Sequence, residues 1–186
     1  MLQLEIGGGT RNRGEGWLNL DLCESADIRH DITRTPWPIP TDSVESLYSS
    51  HCLEHIEDVY VVLLEIVRVC KIGASVEIRL PHWLHDCALG GLMFGFNAHL
   101  HSYGPQFWWR ICNEAGCGFY WGNSDKRLFA TATHYEPENT IDEARLLFPQ
   151  MTDDQIMRLI PGTSHEVRYS FEVVERDDPR ATERVC

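Results

Sequence analysis

The stretch Leu2-Gln3-Leu4-Glu5-Ile6-Gly7-Gly8-Gly9 decides how this chain folds. Leu2, Leu4 and Ile6 mark a buried strand, and three glycines remove every Cβ where that strand ends. A ligand placed there lies directly against backbone N–H groups. A second apolar run, Trp17-Leu18-Asn19-Leu20-Asp21-Leu22, carries a carboxylate near its end. A glycine turn followed by a strand-end acid is how open α/β sheets hold a nucleoside. The backbone faces its charged arm and the carboxylate takes the ribose hydroxyls.

Ala26 to Ile32 reads as a short third strand carrying Asp31, after which Pro36, Pro38 and Pro40 force a non-helical connection. Ser43 to Ser50 reads as a fourth strand. Glu57 to Lys71 reads as an amphipathic helix, with Val61, Leu64, Val67 and Val69 as its buried stripe and Lys71 and Gly73 at its end. Ser75 to Leu80 is a fifth strand, stopped by Pro81. Residues 82–103, with Gly90, Gly91 and Gly95 among large apolar groups, read as a mobile cover over an acceptor region. Gly104 to Ala115 is a further helix. Lys126 to Tyr135 and Glu166 to Glu175 are the last strands, around a helical insert at 136–165.

One domain over residues 1–175, followed by a polar tail at 176–186, is expected. Alternating strands and helices predict an α/β fold with a mainly parallel sheet. Only Gly7 to Gly16 and Cys23 to Ser25 separate the first three strands, whereas a parallel crossover takes at least about 10–12 residues. The sheet is therefore expected to have trimmed helices at its first edge, or a vestigial third strand.

The 186 residues carry a formal net charge of -12, which argues against nucleic acid as a partner. No apolar run approaches a membrane span and no cationic leader opens the chain, so a cytoplasmic location without membrane contact is expected. Cys23, Cys52, Cys70 and Cys112 read as reduced thiols. No Cys-x-x-Cys pair occurs, which speaks against structural zinc.

No Gly-Lys-Ser/Thr follows the glycine turn, so it is not a P-loop. Asn12 stands where a dinucleotide fingerprint needs its third glycine. Downstream lie His51-Cys52-Leu53-Glu54-His55-Ile56 and Glu65-Ile66-Val67-Arg68-Val69-Cys70-Lys71-Ile72-Gly73. Together with Leu4 to Gly9, these segments resemble the class I S-adenosylmethionine-dependent methyltransferases. The resemblance covers residues 2–81 and fits the remainder loosely, through Ala115-Gly116. Departures are Arg11 at the third glycine site, Cys70 for Leu, Ile72 for Pro and Ala74 for Gly.

The resemblance implies a Rossmann-like sheet of about seven strands, the last antiparallel, and S-adenosyl-L-methionine as cofactor. Glu5 and the backbone of Gly7, Gly8 and Gly9 would meet its methionine portion, and Asp21 its ribose hydroxyls. Asp31 and Ile32 would bracket the adenine, and Ser49, Ser50 and His51 would line the wall beside the sulfonium. Carboxylates and carbonyls suit a cationic sulfur. Trp17 or Tyr48 adds cation–π attraction, or is simply core. The implied reaction is methyl transfer to an oxygen or nitrogen of a small molecule, a metabolite or sugar-like acceptor, by a monomer or homodimer. The alternative is a non-catalytic partner protein that holds S-adenosylmethionine or S-adenosylhomocysteine.

Plainer roles stand beside these. Glu5 can bond nearby backbone, Asp21 can cap a turn, and Asp31-Ile32-Thr33 can form an Asx-turn. Glu54 and His55 open a helix, where an acid favours the dipole anyway. His82, His85, His99 and His101 cluster after the fifth strand. His82-x-x-His85 beside Asp86 and Cys87 offers metal donors, but such spacing arises by chance and no metal site is expected. His82 or His101 is the candidate general base, against an ordinary structural histidine. Trp83, Phe94, Phe96, Trp108 and Trp109 supply a lid and hydrophobic wall, or core.

Overall fold

Leu4 and Ile6 are fully buried in β1 (Leu2–Ile6), the strand around which the fold is arranged in the computed structural model. Residues 2–11, 13–85, 88, 99–113, 121 and 124–180 are described. β1 pairs in parallel with β2 (Trp17–Asp21) on one side and with β4 (Val44–Ser50) on the other. β3 (Ile28–Arg29) extends the first side, and β5 (Cys70–Pro81) the second. β7 (Ser164–Glu175) and β6 (Lys126–Pro137) complete seven strands in the order β3-β2-β1-β4-β5-β7-β6, with β7 antiparallel to both neighbours. The seven-strand α/β expectation is met.

The order reverses between β1 and β4, where open α/β sheets leave a crevice at the carboxyl ends of their strands. Gly7 follows β1 and His51 follows β4, so both open into that crevice. The trimmed first edge is also present. Among the described residues, 7–16 and 22–27 connect β1, β2 and β3 without a helix, and β3 is two residues long.

α1 (Val59–Val69) begins at Asp58, whose carboxylate accepts the Tyr60 amide at 3.1 Å. The expected stripe is corrected here. Val62, Leu63, Ile66, Val67 and Val69 are buried, while Val61 and Leu64 are half-buried. The helix is apolar on nearly every side, so periodicity did not select its face. β5 starts at Cys70 rather than Ser75, directly from the helix end.

Glu65 and Arg68 project from α1 to fix the proline segment. Glu65 takes Arg68 in two contacts of 2.7 Å and the Trp37 amide at 2.6 Å. Arg68 donates to the carbonyls of Ile39 and Trp37 at 3.0 and 3.2 Å. Trp37 in turn donates its indole N–H to the Ile32 carbonyl at 2.9 Å, so α1 holds Ile32 in place.

α2 (Pro105–Asn113) packs Trp108 into the core. The expected insert forms α3 (Ile141–Leu147) and α4 (Asp153–Leu159), joined by a small cluster of Ile141, Ala144 and Ile156. Thr152 and Gln155 form a capping box at the start of α4. Gly90, Gly91, Gly95, Phe94, Phe96, Asp86, Cys87, Ala115 and Gly116 lie outside the described residues, as does 181–186 of the tail. Among the described residues no helix is long and apolar enough to cross a membrane.

Candidate active site

The turn after β1 is built by glycines and clamped by two side chains of β2. Gly7 and Gly9 have φ of 71° and 60°. A Cβ on Gly7 would stand 2.2 Å from the Cys52 sulfur, and one on Gly8 would stand 2.8 Å from both Asn19 Oδ1 and Glu5 Cδ. Asn19 accepts the Gly8 amide at 3.2 Å and donates to the Gly9 carbonyl at 2.9 Å. Asp21 accepts the amides of Gly9 at 3.0 Å and Cys23 at 2.7 Å. A carboxylate has about four lone-pair sites, so Asp21 keeps acceptor capacity for a ligand. It is a turn cap and a cleft-lining acid together.

Two clefts meet at Gly7. One, of about 130 Å³, is lined by Gly7, Asp21, Leu22, His30, Asp31, Ile32, Cys52 and Ile56. Leu22 is 62% exposed and faces this largely apolar space with Ile32 and Ile56. Asp31 accepts both the amide and hydroxyl of Thr33, so the Asx-turn forms, yet the residue still lines the cleft. The Thr33 hydroxyl and amide hold its carboxyl below the usual carboxylate range, assisted by Arg34.

The second cleft, of about 560 Å³, is lined by Glu5, Gly7, Gly8, Gly9, Arg11, Arg13, Tyr48, Ser50 and His51. Glu5 is only 7% exposed, and its Oε2 has no hydrogen-bond partner. Burial raises its pKa, against the pull of Arg13. The Arg13 guanidinium lies 3.4 Å from the Tyr48 ring centre and 4.8 Å from that of Trp17. The cation over these two aromatics is therefore an arginine of the chain itself.

His51 has a φ of 49° and shares its ring between two acids. Nε2 lies 3.0 Å from Glu166 and Nδ1 3.4 Å from Glu54. Glu166 and then Glu54 lift its pKa to about 9 despite burial, so the ring is cationic at neutral pH. Ser50 lines the cleft, whereas Ser49 is fully buried in β4 and lines neither space.

The two candidate bases stand elsewhere. His82 is fully buried, stacks on Trp83 at 4.0 Å and accepts the Leu84 amide at 3.2 Å. Burial lowers its pKa to about 4. A neutral buried His82 stabilises the fold fully above pH 6.5, and that contribution drains as pH falls toward 4. The loss is about 3 kcal/mol. Urea midpoints of wild type and His82→Gln at pH 7 and 4.5 test this; parallel pH dependence would refute it. The His101 ring lies 5.5 Å from that of Tyr103, tilted by 34°, and its Nε2 lies 3.0 Å from the Glu57 carbonyl, which leaves Nδ1 as the acceptor nitrogen. Neither histidine lines the two clefts.

Asn19, Arg13, Cys52, Leu22 and Glu166 were not read as site residues. Asn19 alone had a local signal, a polar residue inside an apolar strand. Trp83 is half-buried, Trp108 is core, and Trp109 is 46% exposed.

The methyltransferase domain family matches residues 14–78. A SAM-dependent methyltransferase from Archaeoglobus fulgidus is 14% identical, with a TM-score of 0.58 over 92% of this chain and 85% of that one. A chain of the Haloferax volcanii complex between the Trm112 methyltransferase activator and a methyltransferase is also 14% identical, with a TM-score of 0.58 over 94% and 83%. Phosphoethanolamine N-methyltransferase 2 of Haemonchus contortus, in complex with S-adenosyl-L-methionine, is 13% identical, with a TM-score of 0.52 over 94% of this chain and 48% of that one. No curated protein sequence matches.

Proposed function

We propose that the chain is a class I S-adenosylmethionine-dependent methyltransferase that transfers the sulfonium methyl to an oxygen or nitrogen of a small molecule, a reading supported by the family match over residues 14–78 and by the fold. The observation that carries this reading is the pair of unlike clefts joined at Gly7. The cofactor has two unlike ends, an adenosine and a zwitterionic amino acid, and the linings correspond. Leu22, Ile32 and Ile56 offer apolar faces to adenine, with Asp31 beside its exocyclic amine, and Asp21 has lone pairs for the ribose. The unpartnered oxygen of Glu5 suits the ammonium, and Arg11 and Arg13 the carboxylate.

S-adenosylmethionine brings an activated methyl on a cationic sulfur. The residues around it have to orient donor and acceptor in line and exclude water, which supplies most of the rate. Ser50 and His51 form the wall beside the sulfur, with Ser49 behind them in β4. The Glu166 and Glu54 carboxylates balance the positive charge of His51. Where the acceptor must lose a proton, His101 is the better base of the two candidates, because burial has left His82 weakly basic. The net charge of -12 favours a small acceptor over nucleic acid.

The absence of both histidines from the cleft linings supports a second reading, a chain that binds the donor or its product without turnover. Calorimetry with S-adenosylmethionine and S-adenosylhomocysteine, followed by a mass-shift screen of small acceptors, separates the two. Binding without product favours the second reading, and no binding of either nucleoside removes both. Asp21→Ala is expected to weaken donor binding by about 1–3 kcal/mol, the range for polar partners left unsatisfied. An unchanged dissociation constant would take Asp21 out of the site.

A further inference from the structure

We propose that Glu54, His55 and His99 form a site for one divalent first-row transition ion. Glu54 lies in the 3₁₀ turn Leu53–His55 and is 1% exposed, yet neither carboxylate oxygen receives a hydrogen bond. The His51 and His55 rings approach its Oε1 at 3.4 and 3.9 Å, and His51 already gives its other nitrogen to Glu166 at 3.0 Å. The His51 cation, shared with Glu166, therefore offsets the Glu54 charge only in part, and the unbonded lone pairs of this buried carboxylate are open to a bound ion. His99 Nδ1 is also buried without a hydrogen-bond partner.

Ligand atoms of the three residues lie within 4.8 Å of one another. Tetrahedral zinc, with bonds of about 2.0–2.2 Å, needs ligand separations of about 3.4 Å, so modest side-chain rotations close the set. The backbone already holds the two segments together. The amides of Leu100 and His101 donate to the Glu54 carbonyl at 2.7 and 3.1 Å, and the rings of His55 and His99 meet edge-on at 4.8 Å.

Two imidazoles and one carboxylate suit zinc, iron(II) or cobalt(II) rather than calcium or magnesium. Three protein ligands leave a coordination position open, as in catalytic rather than structural sites. Through His51 the cluster adjoins the larger cleft. An acceptor hydroxyl in the open position would be polarised by the ion, a role that rests on the methyl-transfer reading. Metal binding itself does not.

Metal-stripped protein titrated with cobalt(II) alone tests the site. The expected result is saturation at one ion per chain, with the visible bands of a tetrahedral complex, and displacement by zinc. Glu54→Gln and His99→Ala should each weaken binding by at least about tenfold, while His82→Gln leaves it unchanged. Circular dichroism establishes that each variant is folded; should Glu54→Gln not fold, His99→Ala carries the test. Absence of saturable uptake, or uptake equal to wild type in the folded variants, would overturn the proposal. Calorimetry with S-adenosylmethionine on the same metal-free protein reads the donor site independently. Cobalt uptake without donor binding would therefore count against the methyl-transfer reading alone.

Discussion

Gly7→Ala is expected to abolish measurable donor binding, with at least about a hundredfold loss of affinity, and to lower stability by about 2–5 kcal/mol. Two costs combine. A φ of 71° is left-handed backbone that costs an L-residue about 1–2 kcal/mol. The new methyl would also stand 2.2 Å from the Cys52 sulfur and 2.6 Å from its Cβ, against the turn that leads to Glu54. Gly7 has to shift, and its amide then leaves the Leu20 carbonyl, 3.0 Å away at the junction of the two clefts. Cys52→Gly in the same chain removes both close atoms but not the strained φ. The double variant is therefore expected to regain part of the stability, a coupling that a double-mutant cycle reads directly. Gly9→Ala is a useful contrast, since a Cβ there meets nothing within 4 Å in the protein. It is expected to cost little beyond backbone strain while still obstructing the donor. Calorimetry on all three separates a damaged fold from a blocked site. Donor binding by Gly7→Ala within threefold of wild type would show that the turn is not where the nucleoside sits.

The elements legible in the sequence are those fixed by short-range chemistry. The glycine turn, Asp21 and Asp31 were readable because glycine tolerates positive φ and acids gather at strand ends facing the crevice. The shortened first edge was readable from loop length alone, because about ten residues barely form a crossover. What was not readable depends on partners far along the chain or on faces with no contrast. Glu166 reaches His51 from β7, 115 positions away. Nothing local marks it, and the cationic state of His51 follows from it. α1 hid its buried face because ValTyrValValLeuLeu offers apolar groups in every direction. Asn19 sat in plain view in an apolar strand, but its two contacts with the glycine turn exist only once β1 and β2 pair. His82 was read as a base from its residue type; its stacking under Trp83 is a property of packing.

The Glu-x-x-Arg pattern of α1 makes the same point energetically. Glu65→Ala is expected to destabilise the protein by about 2–4 kcal/mol, somewhat under the 3–5 kcal/mol of a fully buried pair because Arg68 is partly exposed. Removal leaves the Trp37 amide without its acceptor and the Arg68 guanidinium without its counter-charge, beside the carbonyls of Trp37 and Ile39. Burial alone would raise the Glu65 pKa, but Arg68 and the Trp37 amide outweigh it and hold the carboxyl below 4.5. Its contribution is therefore complete above pH 4.5 and is lost as pH falls through the lower folded-state value. The effect should extend to the donor cleft. With the proline segment loosened, Trp37 no longer fixes the Ile32 carbonyl, and Ile32 is one wall of the space assigned to adenine. Urea titration should show a lower midpoint with an unchanged slope, and calorimetry a weaker donor affinity whose enthalpy is less favourable. Arg68→Lys should reproduce part of both losses, because an ammonium cannot engage Glu65 through two parallel N–H groups and still reach two carbonyls. A variant that unfolds earlier but binds the donor as tightly as wild type would confine Glu65 to stability and detach the proline segment from the site.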